Sequence, residues 1–134
     1  MSYWLVIGPP DNWTFCFKNG NVWGFSSACQ KAWESLGDSD TLLCYATRPV
    51  MGLIGYCAVR SRQRGERPFF PQEIKEKSLL WPLRVTLAPK KMITEENWVS
   101  RRVLLERKGV TLQKALQRLP EERAKEIIRE LDKA

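Results

Sequence analysis

Residues 37–59 read GDSDTLLCYATRPVMGLIGYCAV, and this stretch decides the fold. Residues 41–47 and 53–59 are short apolar runs rich in branched and aromatic side chains, each bounded by turn residues, the pattern of buried strands. Arg48-Pro49-Val50-Met51-Gly52 joins them. Gly55 interrupts the second run, and a glycine inside a strand marks a bulge or a close backbone approach, as the corners of a small barrel require. Asp38 and Asp40 precede the first run and suit a turn better than an acid/base pair.

Working outward, residues 3–7 form a third apolar run, closed by Gly8-Pro9-Pro10, and read as a first buried strand. A short helix is expected from Pro10 or Asp11, carrying Trp13 and Phe17 at i, i+4 until Gly20 stops it. Asn21-Val22-Trp23-Gly24 follows as an extended crossing. Ser26 or Ser27 is then the expected N-cap of a helix through Leu36, with Cys29, Ala32, Trp33 and Leu36 on one face and Gly37 beyond its end. Toward the C-terminus, residues 79–87 read as a further strand.

Composition changes after Pro89. Residues 94–98 begin a helical stretch, and residues 111–119 and 120–131 read as two more helices, the last opened by Pro120-Glu121-Glu122 and carrying an apolar stripe of Ile127, Ile128 and Leu131. Strands joined by loops, with helices inserted early, give an α+β half-barrel. The expected division is a barrel core over residues 1–93 and a helical C-terminal extension over 94–134, packing on the core or leading to a further domain.

The 134 residues carry a formal net charge of +7. The excess is local: residues 51–93 hold 9 Lys/Arg against 3 Asp/Glu, whereas residues 1–50 hold 3 against 4. A localised excess of cations makes a directed field, and polyanions are its commonest partners. No apolar run approaches the ~20 residues of a membrane span, and the first residues lack a basic, signal-like start, so a cytoplasmic protein is expected.

Several chemistries are disfavoured. The sequence contains no histidine, which removes the usual general base and the standard partner of a Ser or Cys nucleophile. Cys16, Cys29, Cys44 and Cys57 stand 13, 15 and 13 residues apart without a close pair, so buried free thiols are expected and no metal. No phosphate loop of the GxxxxGK[ST] or GxGxxG type occurs. A non-enzyme without a cofactor is the expectation.

The cationic middle is concentrated between Arg60 and Trp81, RSRQRGERPFFPQEIKEKSLLW, where arginines lead into Phe69 and Phe70 between prolines. Planar rings stack on bases and guanidinium forks grip phosphates, so this mixture points to nucleic-acid binding. Trp4, Trp81 and Trp98 are expected to be structural, as most tryptophans are.

Three pieces in order, YWLVIGPPDNW, GDSDTLLCYATRPVMGLIGYCAV and RPFFPQEIKEKSLLWPLRVTL, resemble the EVE domain, a branch of the PUA-like superfamily related to the YTH readers of methylated RNA. The resemblance covers roughly residues 2 to 93. It is carried most specifically by Gly37-Asp38, by Tyr45-Ala46-Thr47-Arg48-Pro49 with Gly52 and Gly55, and by Trp81-Pro82-Leu83-Arg84. It implies a small β-barrel of five or six strands with flanking helices and a pocket for one flipped, often modified, base. By the same resemblance one pocket wall is Trp23, a second is Phe69 or Phe70, and Asn12 or Asp11 reads the base edge. Arg48, Arg60, Arg62, Arg64 and Arg67 are the candidate rim for phosphates.

The expected function is therefore a non-catalytic module that recognises a base in RNA or DNA, as a monomer or within a larger assembly. It would act alone or as the specificity domain of a modification-dependent restriction factor. Two rivals stand beside it: a binder or enzyme for a small nucleoside-like molecule, which requires a deep closed cavity, and a partner-binding domain using the last helix.

Overall fold

The computed structural model describes residues 1–94, the backbone of residues 99–100, and residues 112–133. The elements in order are β1 (Tyr3–Gly8), α1 (Pro10–Lys18), β2 (Val22–Phe25), a 3-10 turn (Ser27–Cys29), α2 (Gln30–Glu34), β3 (Thr41–Ala46), β4 (Gly52–Arg64), α3 (Pro71–Glu76), β5 (Leu83–Met92), β6 (Val99–Ser100), β7 (Leu116–Leu119) and α4 (Glu121–Asp132). The strands form one mixed sheet in the order β2-β5-β4-β3-β1-β7, with β6 beside β4. β1 and β3 run parallel, Tyr3 opposite Thr41 through Gly8 opposite Ala46, and the other pairs are antiparallel. This is the α+β, PUA-like architecture expected, a curled half-barrel with flanking helices.

Strand periodicity explains why the central strands are apolar throughout. Trp4 and Val6 of β1 and Leu42 and Cys44 of β3 point into a core shared with Trp13 of α1, Trp23 of β2 and Trp33 of α2. Tyr3, Leu5, Leu43 and Tyr45 point to the opposite face, where Ala124, Ile127 and Leu131 of α4 cover them. Strands buried on both faces lose the polar alternation of a half-exposed sheet. The buried indoles are fixed by their N–H groups: Trp4 donates to Asp40 Oδ2 at 2.9 Å, Trp13 to the Tyr45 carbonyl at 2.9 Å and Trp33 to the Arg84 carbonyl at 2.9 Å.

Most expected elements occur, with informative differences. The helix expected over residues 26–36 is shorter, a 3-10 turn followed by five residues of α2, although Trp33 and Leu36 are buried and Cys29 and Ala32 pack against them as anticipated. The strand expected over residues 53–59 continues through Arg64, so Arg60, Arg62 and Arg64 lie on β4 and not in a loop. β5 starts at Leu83, four residues later than expected, because α3 and the turn after it occupy the preceding segment. Of the helix expected over residues 111–119, the last four residues are instead β7, which pairs antiparallel with β1. A free sheet edge outweighed the helical propensity of that segment. The helix start expected at residues 94–98 lies outside the described residues beyond Thr94. α4 forms as expected, and its stripe packs on its own chain.

Gly55 has φ 154°, and a Cβ there would strike the Lys91 carbonyl, so β5 passes against bare backbone at the expected irregularity. Cys16, Cys44 and Cys57 are buried, Cys29 is half-buried, and all four thiols are free. Burial pushes the Cys16 and Cys44 thiols well up, which makes them poor nucleophiles. Among the described residues no helix is long and apolar enough to cross a membrane.

One buried carboxylate organises the connection between β4 and β5. Glu73, at the start of α3, is fully buried and accepts backbone N–H groups from Phe69 (3.0 Å) and Phe70 (3.1 Å) on Oε1, and from Leu80 (2.9 Å) and Trp81 (2.9 Å) on Oε2. Arg84 Nη2 donates to Oε1 at 3.1 Å and also to the Arg67 carbonyl at 2.8 Å. The two ends of the loop are thereby tied to one side chain. Burial by itself raises the Glu73 carboxyl; the donors from Trp81, Phe69 and Phe70 and the charge of Arg84 outweigh it and hold the group below its ordinary value. Asp40 behaves alike: burial raises it, while the N–H groups of Ser2 and Gly37 and the indole of Trp4 bring it below the usual range.

Glu73→Ala should cost about 3–5 kcal/mol in urea denaturation, because it leaves a buried guanidinium and buried N–H groups unpaired. Both carboxyls are lowered in the folded state, so their stabilisation is complete above about pH 5 and is lost as pH falls through the folded values. The wild-type urea midpoint should fall steeply below about pH 4, and the slope should be shallower in Glu73→Ala. Equal slopes would remove Glu73 from the account.

Candidate nucleic-acid interface

A cleft of about 90 Å³ opens where the end of β1 and the start of α1 face β2. It is lined by Ile7, Gly8, Pro9, Asn12, Trp23, Gly24, Phe25, Ser26, Trp81 and Ala115. β2 is an edge strand of the described sheet, so one side of its backbone has no strand partner there. The cleft is open at its mouth and smaller than the ~150 Å³ that encloses a benzene ring. A base entering it would stand partly proud, in contrast to the deep closed cavity a free nucleoside binder requires.

Trp23 forms the floor and is 4% exposed. One face stacks on Trp13, with centroids 3.7 Å apart and planes inclined by 14°. Gly8 fits against the same indole, because a Cβ at that position would collide with Trp23 Cζ2 and Cη2. Trp23 therefore belongs to the core as much as to the cleft. Asn12 is half-buried at the mouth, and its side-chain amide makes no hydrogen bond to another described residue. Such an amide offers donors and an acceptor to a base edge. Asp11 is exposed on α1 and does not line the cleft.

Phe69 and Phe70 are likewise not lining residues. Phe70 is 1% exposed and meets Trp81 edge-on at 5.5 Å and 90°, while Phe69 meets Phe15 at 5.1 Å. Arg84 lies over both phenylalanine rings, at 5.5 and 5.9 Å. They form a buttress behind the wall and not the wall itself. The wall is Trp81, half-buried, on the same loop immediately before β5 and held by its N–H to Glu73. Gly24 lets it approach β2, since a Cβ there would stand 2.7 Å from Trp81 Cβ and 2.8 Å from a Phe70 ring carbon. Trp81 was expected to be structural; its position on the connection before the last core strand was the signal for the wall.

None of the five candidate arginines lines the cleft. Arg48 is exposed at the same sheet end, next to Thr47, whose N–H bonds the Gly8 carbonyl at 2.9 Å. Arg62 and Arg64 lie over Trp33 at 5.3 and 5.2 Å, and Arg62 Nη1 donates to the Trp33 carbonyl at 3.1 Å. Arg67 is exposed on the Glu73-clamped loop. Arg60 is at the opposite end of β3, beside Val59, which exchanges backbone bonds with Ser39 and Asp40. The structure thus leaves Arg60 away from the cleft.

Comparison with known proteins agrees with the fold. No protein-family model and no curated protein matches the chain. Among solved structures, the YTH domain of Mmi1 in complex with RNA aligns at TM-score 0.72 and 12% identity over 99% of this chain and 79% of that one. The ASCH protein from Zymomonas mobilis aligns at 0.63 and 14% over 96% and 94%. Rpa0253 from Rhodopseudomonas palustris aligns at 0.67 and 15% over 98% and 94%. These likenesses establish a PUA-like fold shared with YTH and ASCH domains.

Gly8→Ala should displace the Trp23 indole from its stack, lowering near-UV circular dichroism and costing about 1–3 kcal/mol of stability. An unchanged spectrum with unchanged melting would show that the stack does not depend on Gly8.

Proposed function

We propose that this chain is a non-catalytic module of the EVE branch that binds single-stranded RNA or DNA by accepting one unstacked base, methylated or plain, in the Trp81 cleft. The observation that carries this reading is the pairing of a half-buried indole with an uncommitted Asn12 amide across an open cleft in a strongly basic chain. Stacking on Trp81 supplies dispersion and apolar burial, which a methylated base increases, and Asn12 supplies edge recognition. Arg48 and Arg67, exposed near the cleft end and on the wall loop, add salt-dependent attraction for phosphates. The Mmi1 YTH domain, which matches along nearly the whole chain, was solved with RNA, and this favours RNA as the strand.

The use of the buried carboxylates supports a binding role without catalysis. Glu73 and Asp40 are occupied by backbone donors, and none of the described residues that line the cleft is a carboxylate. Four free thiols suit a reducing compartment, and we place the module in the cytoplasm, alone or as the specificity domain of a modification-dependent restriction factor.

Binding is tested with labelled RNA and DNA nonamers, plain or carrying one 6-methyladenine or 5-methylcytosine, at several salt concentrations. Trp81→Ala should weaken binding by about 1–3 kcal/mol and erase any preference for the modified base. Trp23→Ala should instead lower stability by about 3–5 kcal/mol. A Trp81→Ala protein that binds as the parent does would contradict the assignment.

A further inference from the structure

A larger groove adjoins the cleft. It measures about 480 Å³ and is lined by Lys31 and Ala32 of α2, Ser26, Ala28 and Cys29 ahead of it, and Gln113 to Leu116 leading into β7. Ser26 and Ala115 line both spaces, so the two lie side by side. The groove lies in the seam of the half-barrel. β2 and β7 are the two edges of the described sheet, and α2, which follows β2, packs against β7 across the gap. Its size falls in the range of sites that hold a small organic ligand, ~300–1,000 Å³, which the cleft alone does not reach.

The lining chemistry selects the occupant. Lys31 and Lys114 are both exposed and are the charged residues among the described residues of the lining, none of which is a carboxylate. Ala28, Ala32, Ala115 and Leu116 supply an apolar floor. Cations above an apolar floor, beside a slot that suits one base, match a nucleotide whose flanking phosphates lie on the lysines and whose sugar and base lie on the alanines. We propose that this seam holds the nucleotide next to the one in the Trp81 cleft, with Lys31 and Lys114 on the phosphates on either side of it. The proposal rests on the base-binding reading and adds the path of the strand: across the seam between β2 and β7, and not along the arginine face of β4.

The test compares charge reversals on the two faces of the sheet. Lys31→Glu with Lys114→Glu is set against Lys125→Glu with Lys133→Glu, an equal charge change on α4 and its C-cap, on the helix that covers the opposite face. The probe is a fluorescein-labelled single-stranded RNA nonamer of mixed sequence. The seam variant should bind about tenfold more weakly or worse, and its slope of log affinity against log salt should shrink by about 1.4, near 0.7 for each lost phosphate contact. The α4 variant should change affinity by less than about threefold, because screening damps distant charges.

Cys29 gives a second readout on the unaltered protein. It is the half-buried thiol of the four and lies in the groove, so bound nonamer should slow its alkylation by iodoacetamide, and adenosine or N6-methyladenosine should not. Equal losses in the two charge variants together with unprotected Cys29 would overturn the seam path. If Trp81→Ala still weakens binding in that case, the cleft reading survives alone; if Trp81→Ala is neutral as well, both fail.

Discussion

The arrangement depends on a carboxylate that never meets solvent. Glu73 gathers backbone N–H groups from both ends of a long connection, and Arg84 balances its charge from the start of β5. A buried ion pair of this kind contributes little net stability compared with apolar packing; breaking it is costly because its members have no other partners. What it provides is position. The N–H of Trp81 is one of its ligands, so the indole that walls the cleft stands where the clamp sets it.

The rest of the site follows from an unclosed sheet. A half-barrel whose edges are β2 and β7 must cover a seam, and here α1 and α2 cover it with tryptophans on their inner faces. Trp13 stacks under Trp23, and Gly8 and Gly24 remove the side chains that would hold the neighbouring segments away. Among the described residues, the cleft and the groove beside it are unfilled parts of that seam. The opposite face is closed by α4, whose stripe of Ala124, Ile127 and Leu131 seals the second core. Among the described residues, the packing of the sheet thus leaves this open space on the side of the seam and not under α4.

Much of this was legible in the sequence. The apolar runs of β1, β3 and β4 and the irregularity at Gly55 follow from strand periodicity and glycine geometry, which are local. The helix of residues 121–132 was visible from its proline, acids and stripe. β7 was not, because its strand character comes from the free edge of β1, a neighbour more than 100 residues away. The pocket was legible in part: Trp23 and Asn12 both line the cleft, but Phe70 turns inward against Trp81, and Phe69 packs on Phe70 and Phe15. Nothing in the local pattern distinguishes those rings. The choice is made by which of them lies beneath the loop once Glu73 has drawn its ends together. Arg62 and Arg64 are displaced from the expected rim for a similar reason, since extension of β4 carries them onto Trp33.

The most direct measurement is titration of isotope-labelled protein with unlabelled single-stranded RNA, followed through the tryptophan indole and asparagine amide signals. The account predicts that the Trp81 indole and the Asn12 side-chain amide shift together and saturate at one ratio, while α4 resonances stay still. Shifts gathered on α4 or around Arg60, with Trp81 and Asn12 unmoved, would contradict it.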